Sequence, residues 1–228
     1  MATNPSISVN KLAEYIVSRG ARQRKILSDR KYPDPDFKAG IYHREAAEAV
    51  AQYLTAGAID PAPLTRQLRL LEQMPSDKVG TARRISSNID AIERFSEMLD
   101  EIDLDGTSPS LGSNYAEKLT FHNVEISVRP EIILRADGPK GKKLVGGIKL
   151  HFSKTRPHNE ESAGYVSAVV QEFCRLHVAM EDEVVNPKFC YVIDIASGKV
   201  FPGVKSTVAR MKDVAAECQN IAALWASI

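Results

Sequence analysis

A chain of 228 residues with 43% hydrophobic side chains has enough apolar material for a substantial core, as one domain with a large accessory region or as two small domains, and disorder throughout is excluded. Lys and Arg number 30 against 29 Asp and Glu, a formal net charge of +1, which argues against a general nucleic-acid coat protein. No apolar run approaches the length of a membrane span and the first residues carry charges without an apolar signal core, so the expected location is cytoplasmic.

The balanced total conceals asymmetry. Residues 1–84 carry 14 basic and 9 acidic side chains, residues 85–120 carry 2 and 8, and the remainder carries 14 and 12. A basic end and an acidic middle allow localised binding of a polyanion. Cys174, Cys190 and Cys218 are widely spaced and odd in number, which reads as buried free thiols rather than a disulfide framework or a Cys-x-x-Cys metal site.

Residues 8–31 hold two helix-compatible segments separated near Gly20, with Ser8 placed to cap the first and Leu12, Ile16 and Val17 on one face. Pro33 and Pro35 interrupt the second. A helix from Ile41 to Leu54 is expected to end at Gly57. Another fits 63–73, with Leu64, Leu68 and Leu70 or Leu71 on its apolar side. A third spans 81–101, where Ile85, Ile89, Ile92 and Leu99 recur at helical spacing above an acidic polar face. Residues 103–114, rich in Asp, Gly, Ser and Pro, read as a loop.

Three strands are expected at 117–128, 130–136 and 143–152. Pro130 lacks an amide donor and suits a strand start, an edge or a bulge. The period then changes: Tyr165, Val169, Phe173, Leu176 and Met180 line one stripe of a helix over 160–180. Two further strands flank a turn at Ser197-Gly198, and a helix over 206–226 closes the chain. The expected architecture is an α/β or α+β core, with a mixed central sheet flanked by helices over 81–228, behind an N-terminal helical accessory region over 1–80.

Divalent-metal nuclease chemistry needs carboxylate oxygens around the ion and a cation that orients water or stabilises developing phosphate charge. If the strands of the 130s and 140s form a hairpin, Glu131 and Lys149 approach across it and the Ile148 carbonyl offers another oxygen; strand register decides whether they meet. Gly146 and Gly147 also suit a bulge or close packing against a helix.

Over residues 81–204 the chain resembles the PD-(D/E)xK nuclease superfamily, in which an acid opens one strand and an acid-x-Lys motif lies on the next. Pro130-Glu131 resembles the proline-acid element and Lys149 the lysine, while Gly147 stands at the place of the second acid. The resemblance implies catalytic roles for Glu131 and Lys149. It implies Mg²⁺ or Mn²⁺ held by Glu131, the Ile148 carbonyl and an acid such as Glu93 or Glu97 from the preceding helix. Gln171 or Glu172 is a further candidate partner on the following helix. The function implied is nucleic-acid processing or bacterial defence.

Arg22, Arg24, Lys25, Arg30 and Lys31 are candidate phosphate contacts, although Asp29, Asp34 and Asp36 alternate with them. Lys140, Lys142 and Lys143 form a second basic cluster in the hairpin turn. His122, His151, His158 and His177 match no metal-ligand signature, and His151 ranks highest because it follows Lys149 by two residues on the same strand face. The turn at 138–143 lacks the Walker spacing of a phosphate-binding loop. The competing functional class is a noncatalytic module that binds DNA, RNA or a protein partner through the same sheet or the N-terminal helices.

Overall fold

The computed structural model describes residues 4–34, 42–104 and 106–228. The fold is mixed α/β: a central multistranded sheet is flanked by helices that include an N-terminal helical stretch.

Strand β1 (Ser6–Ser8) leads directly into α1 (Val9–Val17), and α2 (Ala21–Lys31) follows. The Ser8 hydroxyl accepts from the Lys11 amide at 3.4 Å, the expected cap, and Gly20 breaks the two helices apart at a φ of 53°. Helix α3 (Arg44–Thr55) ends as its sequence predicts. Gly57, at a φ of 86°, donates to the Leu54 carbonyl while Ala58 donates to that of Tyr53, which satisfies the last carbonyls of the helix. The predicted helix start at Ile41, the breaker Pro35 and Asp36 lie outside the described residues.

Helices α4 (Ala62–Glu72) and α5 (Val79–Ser96) complete this group. Leu64, Leu71, Ile85 and Ile92 are buried, whereas Leu70 is exposed. The chain then forms β2 (Ser108–Leu111), β3 (Lys118–Phe121), β4 (Val124–Ser127), β5 (Ile132–Asp137) and β6 (Lys143–His151). After α6 (Glu160–His177) come β7 (Glu183–Val185), β8 (Val192–Asp194), β9 (Lys199–Phe201) and α7 (Val208–Trp225).

Two sheets result. The larger runs β2-β5-β6-β8-β9, with β7 beside the first half of β6; β5 and β6 are antiparallel, and β6 and β8 are parallel. The smaller runs β1-β4-β3. The single strand expected over 117–128 is instead a hairpin. His122 and Asn123 occupy positive φ at 47° and 63° between the paired residues Phe121 and Val124, the two-residue turn whose twist suits antiparallel strands. Residues 108–111, expected as loop, pair with β5 as an edge strand, and their Pro109 is tolerated at such an edge.

Alternation along β5 and β6 splits the interior. Ile132, Leu134, Ile148 and Leu150 point toward α3, α4 and α5 in one cluster. A second cluster holds α1, α2, α6 and α7 together with β1, β3 and β4, and reaches the large sheet at Val192 and Phe201. The helices of the described residues 4–34 and 42–80 are divided between the two clusters. Their first two helices cover one side of the sheet, and the next two cover the other.

Helix α6 begins with a reciprocal cap: the Asn159 side chain accepts from the Ser162 amide and the Ser162 hydroxyl accepts from the Asn159 amide. The helix stops at His177, so Met180 of the predicted stripe lies beyond it, and Leu176 and Met180 are both exposed.

Candidate functional site

The register of the β5–β6 hairpin pairs Ile132 with Ile148 and Ile133 with Gly147. One step outward, Glu131 stands opposite Lys149. The sequence-level requirement that these two meet is fulfilled: the Lys149 ammonium donates to Glu131 Oε1 and, at 2.9 Å, to the Arg129 carbonyl. Glu131 Oε2 accepts from the Leu150 amide at 2.8 Å, and the Glu131 amide donates to the Ile148 carbonyl at 3.0 Å. Where β5 leaves the sheet, the Glu131 carboxylate continues the ladder in place of backbone. The Asn10 side chain does the same for the Leu150 carbonyl at 3.2 Å.

These contacts decide how well the site suits a divalent ion. Both Glu131 oxygens and the Ile148 carbonyl already accept hydrogen bonds. At Gly147 a Cβ would lie 2.9 Å from Pro130 Cβ and 3.3 Å from Cys174 Sγ, so the Pro130 ring and α6 fill the space a second acid needs. The other two proposed ligands lie elsewhere. Glu93 on α5 and Glu97 just past its end are exposed, and α5 packs on the Ile132 and Ile148 face, whereas Gly147 and Lys149 lie on the opposite face. Among the described residues no group of three or more His, Cys, Asp or Glu side chains is placed to hold a metal ion. The residues present do not fit an ion held by two acids on this hairpin.

The helix candidates also have structural partners. Gln171 donates to the Val204 carbonyl at 2.8 Å, tying α6 to the segment before α7, and Glu172 pairs with Arg175. Cys174, Cys190 and Cys218 are buried free thiols, as expected. A hydrogen bond with Cys190, and then burial, raises the Cys174 thiol far above its usual range; burial pushes Cys218 up to about 12.

The two basic clusters fare differently. In α2, Arg22 binds Glu14, Lys25 binds Asp29, Arg30 binds Ser6 and Lys31 donates to the Trp225 carbonyl, while Arg24 is exposed. Lys140, Lys142 and Lys143 are exposed, with Lys143 paired to Asp182. They lie at the far end of the hairpin from Glu131 and Lys149, roughly 20 Å away at about 3.3 Å per strand residue.

Sequence reasoning missed a constellation at the carboxyl ends of the parallel strands β6 and β8. His151, on the face of Lys149, is paired in register with the fully buried Asp194. Its ring lies 4.0 Å from that of His158, and its Nε2 faces the Arg156 carbonyl at 2.8 Å. Asp194 accepts from the backbone amides of His158 and Ser197, and His158 Nδ1 lies 3.1 Å from the Ser162 hydroxyl. His158 Nε2 is buried without a partner among the described residues. Burial lowers the proton affinity of both imidazoles, that of His158 to about 3 with a further contribution from His151.

Above this pair, Glu14 of α1 meets three cations. Lys11 lies at 2.7 Å, Arg22 binds through two nitrogens, and Arg156 lies at 3.8 Å. Burial opposes ionisation of Glu14, but the bonds from Lys11 and Arg22 outweigh it and hold the carboxyl below its usual range. Only Arg22 of these residues stood out in the sequence, because Glu14 and Arg156 are separated along the chain and reach each other through the packing of α1 on α6. No helix among the described residues is long and apolar enough to cross a membrane. Comparison with known proteins matches the chain to no family model and to no curated sequence.

Proposed function

We propose that this chain is a nuclease-like, nucleic-acid-binding module that holds its ligand without two-acid, metal-dependent phosphodiester hydrolysis at the hairpin. A relationship to the PD-(D/E)xK fold is supported by the order of α5, the β5–β6 hairpin, α6 and the parallel strand β8, with an acid opening β5 opposite a lysine of β6. The observation that carries the noncatalytic reading is the filled second-acid position: Pro130 and Cys174 occupy the volume beside Gly147, and Glu131 is spent in a closed salt bridge. Lys149 then fastens the end of the hairpin, a structural use of the same two residues.

The test is to incubate purified protein with labelled single-stranded DNA, double-stranded DNA and RNA, with Mg²⁺ or Mn²⁺ and separately with chelator. Binding that persists in chelator, with no turnover on any substrate, is expected. Gly147→Asp is expected to create no cleavage and to lower stability by roughly 1–3 kcal/mol, since overpacking forces its neighbours apart. Metal-dependent cleavage by the wild type that disappears in Glu131→Ala overturns the reading, as does an absence of binding to all three nucleic acids.

A further inference from the structure

We propose that Lys11, Arg22 and Arg156 form a seat for a backbone phosphate of a nucleic acid, with Glu14 as a built-in carboxylate that the phosphate joins and competes against. The inference rests on the nucleic-acid reading above and locates its contact on the α1–α6 side rather than at the hairpin turn.

The charge balance is the first support. Lys25 of α2 meets Asp29 one to one, whereas three cations converge on the one Glu14 carboxylate, which leaves two positive charges unneutralised within the group. They come from α1, α2 and the β6–α6 connection, so the convergence is a product of tertiary packing.

Accessibility is the second. The Lys11 and Arg156 side chains are 50% and 55% exposed, while that of Glu14 is 13% exposed, so an arriving anion meets the cations first. At 3.8 Å, Arg156 is beyond hydrogen-bonding distance of Glu14, and its guanidinium has no hydrogen-bond acceptor among the described residues. A planar guanidinium offering paired N–H groups suits a phosphate with two free oxygens. The Arg156 backbone is held by His151 Nε2, so its connection is anchored at the point where the side chain departs.

Binding is to be measured by anisotropy of fluorescein-labelled DNA and RNA of about 20 nucleotides, single- and double-stranded, in chelator over about 50–200 mM salt. Arg156→Ala is expected to weaken binding on the order of tenfold and to reduce the slope of log K against log salt by about one. Glu14→Gln is expected to tighten binding severalfold because it removes the internal competitor. The double variant Lys140→Ala, Lys142→Ala is expected to match the wild type. Unfolding midpoints confirm that each variant is folded; Arg156 is an exposed loop side chain, so its variant remains informative if Glu14→Gln is unstable.

Retained affinity and salt slope in Arg156→Ala, or a greater loss in the Lys140/Lys142 variant, overturns the seat while leaving nucleic-acid binding intact. No binding by wild type at the lowest salt removes the functional reading itself, and the seat with it.

Discussion

His158 shows how a single residue couples packing to pH. Burial, with His151 alongside, depresses its proton affinity from an ordinary value of 6.5 to about 3. Between those values the unfolded chain holds a proton that the folded chain refuses, so stability is full above 6.5 and declines as pH falls toward 3. The slope contributed approaches about 1.4 kcal/mol per pH unit within the window. Urea unfolding at neutral pH and near pH 5 is expected to show this loss, and His158→Gln is expected to flatten it. An unchanged pH dependence in that variant would assign the loss to other groups. The sequence singled out His151 by its position on the strand of Lys149 but gave His158 no role, because the contact between the two rings depends on how the chain after β6 folds back onto α6.

At the scale of elements, the β3–β4 hairpin depends on two residues in the left-handed region. Asn tolerates that region, whereas Ala pays a steric cost of about 1 kcal/mol there. Asn123→Ala is therefore expected to lower the unfolding free energy by about that amount, and Asn123→Gly to hold or raise it, as thermal unfolding would report. Equal stability of all three proteins would show that the turn does not set the hairpin. The signal was legible only in part. Residues 117–128 have the β-branched and aromatic content of strand, but His-Asn is a weaker turn marker than Asn-Gly, so the run reads as one element. The β5–β6 pairing was more readable because Pro130 and the polar 138–143 turn bound it at both ends. The same reading brought Glu131 and Lys149 together on condition of register, yet it could not show that the Pro130 ring and Cys174 close the space beside Gly147.

For the whole molecule, the N-terminal segment belongs to the core. Ile7, Leu12, Tyr15, Ile26 and Leu27 are between 0% and 4% exposed, and β1 pairs in parallel with β4. At roughly 1.5–3 kcal/mol for each large apolar side chain, their burial contributes on the order of 10 kcal/mol, comparable with the entire net stability of a typical domain. Removal of residues 1–31 is accordingly expected to abolish cooperative unfolding, as followed by near-ultraviolet circular dichroism and denaturant titration. A cooperative transition close to that of the full chain would instead make the first two helices an independent appendage. A three-residue strand such as β1 is too short to register as a pattern in the sequence, so its pairing with β4 was not legible there.

Local rules acting over a few residues were enough for the sequence to specify the mixed α/β class, the Ser8 cap, the Gly20 break, the Gly57 stop and the hairpin on which Glu131 and Lys149 can meet. Apolar periodicity, turn chemistry and the two-residue repeat of a strand need no knowledge of distant chain. Tertiary structure alone decided which sheet face each N-terminal helix covers, what fills the space beside Gly147, and which cations surround Glu14. Those outcomes depend on side chains far apart in sequence competing for the same volume and the same charge, and packing at native density leaves room for one arrangement of them.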